Sequence, residues 1–268
     1  MNRIDVPKAV LSNHPKEGQS ELLRAPPPPA LAAYVQHFWS VRWDFRGAAP
    51  FLAHTLPHSA VHLIFERGEG LVYGLSRRPF RRELTGKDRV FGVKFRPAAF
   101  APFLDGPMAS LTERQLGFPD FFGRGARTLS QSILGADDFE RNVARLAEFL
   151  AERRPPLPPP AAAMRDLVES IERDQSILRV EDLSERASLD VRTLQRHFHA
   201  YVGLPPKWVI GRYRLHEAAV RLKSEAKLDL GALAQELGYF DQAHFIRDFR
   251  RHAGEPPGRF HSRMRTSV

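Results

Sequence analysis

The chain has 268 residues, 43% of them hydrophobic, enough for about two domains that each bury a core. Its 40 Lys and Arg against 31 Asp and Glu give a formal charge of +9, which favours a polyanionic partner. The lack of cysteine excludes disulfides, thiolate metal sites and a Cys nucleophile, and no apolar run approaches the ~18 residues of a membrane span. The opening stretch MNRIDVPKAVLSNHPKEGQSELL lacks the uninterrupted apolar core of a secretory signal. A cytoplasmic protein with no membrane partner is therefore expected.

Along the chain, a proline cluster at 26–29 precedes the short runs YVQHFWSVRW, AVHLIFE, GLVYGL and RVFGVKFRP, which lie within residues 34–96. Aromatic and β-branched residues dominate these runs, and Gly, Pro and charges separate them, which predicts the strands of a small sheet or barrel. Here His54, His58, His62 and Glu66 recur four apart. On a single strand they would share a face and could hold zinc or iron, as in cupin-like barrels. Pro57 interrupts that strand, so structural or surface histidines are the default and no metal or other cofactor is expected.

From Pro97 the pattern reads as helical. Phe139, Val143, Leu146 and Leu150 recur at four, three and four, placing an apolar stripe on one helix face. That stripe either packs on its own domain or forms a dimer seam. The run ERRPPLPPP at 152–160 favours polyproline II and stops a helix. The predicted organisation is α+β: a β-rich, barrel-like sensor or dimerisation domain with helices over 1–153, a linker over 154–160, and an all-α domain over 161–268.

The all-α region, six or seven helices, contains an internal repeat. Shifted by 51 residues, VEDLSERASLDVRTLQRHFHAYVGLPPKW falls on GALAQELGYFDQAHFIRDFRRHAGEPPGR. Identities fall at Glu185/Glu236, Asp190/Asp241, Arg196/Arg247, Phe198/Phe249, Gly203/Gly254, Pro205/Pro256 and Pro206/Pro257. Asp190 and Asp241 stand where a helix N-cap is wanted. Leu194 with Phe198, and Phe245 with Phe249, anchor one face of each helix; Gly203 and Gly254 end those helices, and the Pro-Pro pairs stop continuation. Each copy reads as helix, turn, helix, stop, with one extra turn residue in the second.

The outward residues of the second helix in each copy are Arg192, Gln195 and Arg196, then Gln242, Ala243, Arg247 and Arg250. Arg suits guanine O6/N7 or phosphate and Gln suits adenine N6/N7, so both helices carry side chains fit for a major groove of double-stranded DNA. Residues 190–223 hold seven Lys/Arg against two acids, and 241–268 hold six against three, whereas 161–189 with 224–240 sum to −5. Residues 1–160 are also net +6, so total charge alone does not locate the site. Between the copies, PKWVIGRYRLHEAAVRLKS predicts a helix of about eighteen residues and roughly 27 Å, near the ~34 Å between successive major-groove faces.

Residues 161–266 resemble the DNA-binding domain of the AraC/XylS family of bacterial regulators, most specifically in GYFDQAHFIRDFRRHAGEPPGRF and in Arg214-Leu215 before Ala218 and Leu222. The resemblance implies Arg192, Gln195 and Arg196 as first-unit contacts and Gln242, Ala243, His244 and Arg247 as second-unit contacts. Ile246 stands where that family more usually has a small or polar residue. PALAAYVQHFWSV, LPHSAVHLIF, GVKFRPAAF and PMASLTERQLGFPDFFG resemble an uncharacterised domain found in front of such modules. Together these resemblances imply a nucleoid-associated bacterial regulator of promoter or operator DNA with no enzymatic activity. A small-molecule effector, RNA polymerase and a second copy of the chain are its further candidate partners. The competing reading is a metal-dependent cupin-like enzyme or sensor barrel fused to a DNA-binding module. A methyl-acceptor repair enzyme would need a reactive Cys, and no serine lies in a nucleophile motif such as G-x-S-x-G.

Overall fold

The computed structural model describes residues 11–12, 18–226 and 228–266; most of the N-terminal stretch read for a secretory signal lies outside them. The described residues of the N-terminal region form eight strands: β1 (Ser20–Ala25), β2 (Val35–Asp44), β3 (Phe51–Thr55), β4 (His62–Glu66), β5 (Glu69–Tyr73), β6 (Phe80–Leu84), β7 (Lys87–Phe95) and β8 (Gln115–Gly117). Six form an antiparallel sheet in the order β1-β2-β7-β4-β5-β8, and β3 pairs with β6 as a separate ribbon. Alternation places Phe38, Leu63, Phe65, Val72, Phe91, Val93 and Phe95 in the core. A smaller cluster of Trp43, Phe45, Leu84 and Val90 joins the sheet to the ribbon.

The helical pattern predicted from Pro97 begins later than expected. Tight turns such as Met108–Leu111 and the last strand, β8, come first. Then follow α1 (Phe118–Phe122), α2 (Ala126–Gly135) and α3 (Phe139–Arg153), the last capped by Asp138 accepting from Arg141 N–H at 2.9 Å. The α3 stripe is core of this same chain: Phe139, Leu146 and Leu150 are buried, Val143 partly so. Of its two readings, the intradomain one fits.

The predicted linker over 154–160 is extended only as far as Pro158. Pro159 and Pro160 sit in the first turn of α4 (Pro159–Arg173), where proline's missing N–H has no helical partner to lose. The chain continues through α5 (Val180–Ala187), α6 (Val191–His197), α7 (Pro206–Ser224), α8 (Leu230–Glu236), α9 (Gln242–Ala253) and α10 (Pro257–Thr266). The apolar core does not divide at the linker. One buried cluster runs from the sheet through α3 and α4 to Leu194, Phe198, Val202 and the start of α7 at Val209 and Ile210. A second holds the rest of α7 with Leu233, Phe245, Phe249 and Phe260, joined by Leu11 and Leu56.

The histidines do not share a strand. Chain direction changes at Pro57, so His54 lies on β3, His58 in the loop and His62 on β4. His54 Nε2 accepts from Arg81 at 3.4 Å, and Glu66 pairs with Arg82. Among the described residues, no three His, Cys, Asp or Glu side chains are arranged to hold a metal ion.

Candidate nucleic-acid interface

Each repeat copy forms the unit its sequence predicts. In the first, α5 ends at Ser188 in the left-handed region (φ 51°), and Leu189 N–H bonds back to Ser184 O at 3.1 Å. In the second, Gly238 takes the left-handed position (φ 70°), and Tyr239 N–H bonds to Ala234 O at 2.9 Å. One residue separates Ser188 from Asp190, and two separate Gly238 from Asp241. The extra turn residue is thus Phe240, whose side chain is 92% exposed.

Asp190 and Asp241 cap α6 and α9, accepting from Thr193 N–H at 2.9 Å and His244 N–H at 2.6 Å. The bond from Thr193 holds the Asp190 carboxyl below its usual range, so the cap is charged at neutral pH. Leu194, Phe198, Phe245 and Phe249 are buried at 1% exposure or less, which turns the opposite faces outward. Arg192, Gln195, Arg196, Gln242, Ala243, His244, Arg247 and Arg250 are all exposed. All lie within or just beyond the first two turns of α6 and α9, the part of a recognition helix that meets base edges. His244 packs edge-on against Tyr239, with ring centroids 5.2 Å apart. Ile246 is half-buried.

The helix ends also agree, with one departure. Gly203 and Gly254 are left-handed at φ 80° and 82°. The first copy, however, leaves regular α geometry over Phe198–Val202, where Gly203 N–H reaches Phe198 O at 2.6 Å in a wider, π-type turn. Both glycines are also contact points with the N-terminal region, a role their sequence gives no hint of. A Cβ on Gly203 would run into Leu75 and the Met108 carbonyl, and one on Gly254 into Arg81. Thr112 Oγ1 donates to Gly203 O at 2.9 Å.

The basic stripe is thinner than residue counting implies. Arg212 is buried, and Arg221 pairs with Glu225 and Glu236. Arg263 lies within α10 and donates to Glu255 at 2.6 Å and to Leu11 O at 3.1 Å. Sequence reasoning missed one positioning residue, Arg214 on α7. Its Nη1 donates to Gly238 O at 3.0 Å, and its guanidinium lies 4.7 Å from the Tyr239 ring, tying the linker helix to the second turn. In sequence the Arg214-Leu215 pair stands out only as part of the family pattern, and it is Arg214 that holds the unit in place.

Residues 183–263 match a family model described as a helix-turn-helix domain, and residues 23–117 match a domain of unknown function, DUF6597. By class, the C-terminal half is a double helix-turn-helix domain of the AraC type, set behind a DUF6597 domain. Among curated proteins, the chain is 29% identical over 94 residues to an uncharacterized HTH-type transcriptional regulator of Haemophilus influenzae, covering 35% of this chain and 31% of that protein. It is 33% identical over 75 residues to the HTH-type transcriptional activator RhaS of Pectobacterium carotovorum, covering 28% of this chain and 26% of that protein. The matches thus span less than a third of either relative. Among solved structures it is similar to the C-terminal domain of AraT from Geobacillus stearothermophilus, at 23% identity and TM-score 0.35 over 41% of this chain and 88% of that one. It is also similar to ToxT from Vibrio cholerae, at 12% identity and TM-score 0.40 over 93% of this chain and 98% of that one.

Proposed function

We propose that the protein is a sequence-specific regulator of transcription that binds double-stranded promoter or operator DNA through α6 and α9. One observation carries this reading: two equivalent helices, each capped by an aspartate and anchored by two buried apolar residues, present Arg and Gln side chains outward. Among the described residues, the hydrogen bonds and ion pairs engage none of the side chains of Arg192, Gln195, Arg196, Gln242, Arg247 or Arg250, and all are exposed, so these groups are available to bases and phosphates. The 19 residues of α7 join the units over roughly 28 Å, so one chain can reach two successive turns of groove.

In this reading residues 1–153 sense and 161–268 bind DNA, the first controlling the second through the contacts at Gly203 and Gly254. A small effector is the expected input, with RNA polymerase and a second copy of the chain as further partners. The protein acts without catalysis, on the nucleoid in the bacterial cytoplasm.

The test is genome-wide DNA occupancy of the full chain beside the double variant Arg196→Ala/Arg247→Ala. Discrete sites sharing a sequence motif, lost in the variant, are expected. Occupancy without a common motif, or unchanged in the variant, would remove base reading from these helices.

A further inference from the structure

The turn of the second unit carries a side chain that the fold does not use. Phe240 is the most exposed large apolar residue among the described residues. In the first unit Leu189, half-buried against the core, directly precedes the cap Asp190. That is the usual place for an apolar residue that packs on the fourth residue of the helix and fixes the angle at which the chain enters it. In the second unit Phe240 stands there, before Asp241, and the fourth residue of α9 is Phe245. Phe245 is fully buried, however, and it is Tyr239, one residue earlier, that packs on it, with ring centroids 5.2 Å apart. The extra turn residue has passed the internal contact to Tyr239 and left Phe240 outside.

Its position is nonetheless held firmly. Tyr239 is buried, its hydroxyl donates to Asp248 at 2.9 Å, and the Arg214 guanidinium covers its ring. On the other side the Asp241 carboxylate accepts from His244 N–H at 2.6 Å. Phe240 is therefore presented between two fixed neighbours, at the entrance to α9. It is also continuous with the candidate interface, because Phe240, Asp241, Gln242, Ala243 and His244 are all exposed. Turns favour small or polar residues, and an apolar group that stays in water gains nothing on folding. Stability therefore does not account for a phenyl ring in this place.

What a phenyl ring can recognise in a major groove is narrow. The base edges offer hydrogen-bond donors and acceptors, to which the ring is indifferent, and one apolar group, the thymine 5-methyl. Residues at the start of a recognition helix are the ones that meet those edges. We propose that Phe240 selects thymine, packing its ring on the 5-methyl of a base at the mouth of the groove that α9 enters. The proposal rests on the reading that α9 enters a major groove, and it names what the start of that helix selects there. Together with Gln242, whose amide suits adenine, it makes the second unit a reader of A·T pairs. The first unit has a single residue between Ser188 and its cap, so it lacks an equivalent of Phe240 and lacks this preference. A chain bound through both units thus has one direction on the duplex.

The test starts from duplexes that the full chain selects out of a random-sequence pool. In the selected sequence each thymine is replaced in turn by deoxyuridine, which removes the 5-methyl and keeps every hydrogen-bonding group. The Kd of each duplex is then measured for the parent and for Phe240→Ser. Replacement at one thymine, adjoining the base pair whose preference Gln242→Ala relaxes, is expected to weaken the parent about fourfold, the effect of one buried methyl group. Phe240→Ser should bind the thymine duplex about as weakly as the parent binds the uracil one, with no further loss on the uracil duplex. Phe240→Leu, which keeps an apolar side chain, should retain part of the discrimination. No thymine sensitive to loss of its methyl overturns the proposal, as does one equally sensitive in Phe240→Ser, which would return the methyl to Ala243. So does an equal loss on every duplex, which would put the ring on the sugar-phosphate backbone, or Phe240→Ser binding like the parent, which would leave the ring to a protein partner. The thermal midpoint of Phe240→Ser should equal the parent's, and a lower one would place the ring in the fold and equally overturn the proposal. A shared selected sequence without this thymine dependence removes this inference alone, whereas selection of no shared sequence removes the regulatory reading and this inference with it.

Discussion

Arg196 and Arg263 are both arginines of the helix-turn-helix region, and their surroundings predict opposite phenotypes. Arg196 is exposed on α6 and its side chain has no partner among the described residues, so Arg196→Ala should leave folding intact. It should cost about 1–3 kcal/mol of cognate binding and relax specificity at one base pair. Competition between the cognate site and single-base variants across a salt series checks this; a uniform loss across sequences would make α6 a backbone clamp. Arg263 is held by Glu255, Leu11 and the Phe260 ring, whose centroid lies 5.2 Å away. Arg263→Ala should lower stability by about 1–2 kcal/mol, read as a lower denaturation midpoint, and leave the salt slope of DNA binding unchanged. Legibility at this scale follows sequence distance. The aspartate caps and left-handed glycines act within a few residues and could be read from the repeat. Lys94 meets His58 across 36 positions, and Arg212 meets Pro57 across 155, so no local pattern announces either contact.

Among the elements, α3 and the end of the first unit give the clearest tests. Leu146 is fully buried and Val143 faces the same core, so replacing both with glutamate should unfold the protein. Loss of the cooperative transition in circular dichroism checks this, and a folded monomer would instead restore the dimer-seam reading. Gly203→Ala combines a left-handed backbone with a Cβ forced onto Leu75 and Met108, and should cost about 1–3 kcal/mol. Gly135→Ala, in α2 with open space around it, serves as the near-neutral control in the same denaturation series. Helix periodicity told which residues of α3 face inward but not what lies there, because a stripe looks the same against its own core or a partner's. The histidines fall on separate elements for a related reason: spacing of four implies one face only while the chain keeps its direction, and Pro57 ends that run.

At the scale of the molecule, the buried histidines set a pH dependence. Burial above all holds His37 and His62 at about 3 and His54 at about 4, so all three are neutral in the fold. The unfolded chain protonates them below about 6.5. It therefore binds more protons than the native state between these values, and the histidine contribution to stability rises with pH up to about 6.5 and then levels off. The slope is at most about 1.4 kcal/mol per pH unit for each histidine, and denaturant midpoints between pH 4 and 7.5 would check the sign. The two-part chain and its doubled helical unit were legible from composition shift and self-similarity. The continuity of the core past the proline run was not, because periodicity gives each helix an apolar face without naming its neighbour. That continuity makes the two units kinetically unequal. The first is welded to the sheet, whereas the second is secured mainly by the far half of α7, beyond Gly211. Native-state hydrogen exchange should find α8 to α10 opening first and the sheet with α6 last, a ranked order of release along a single helix.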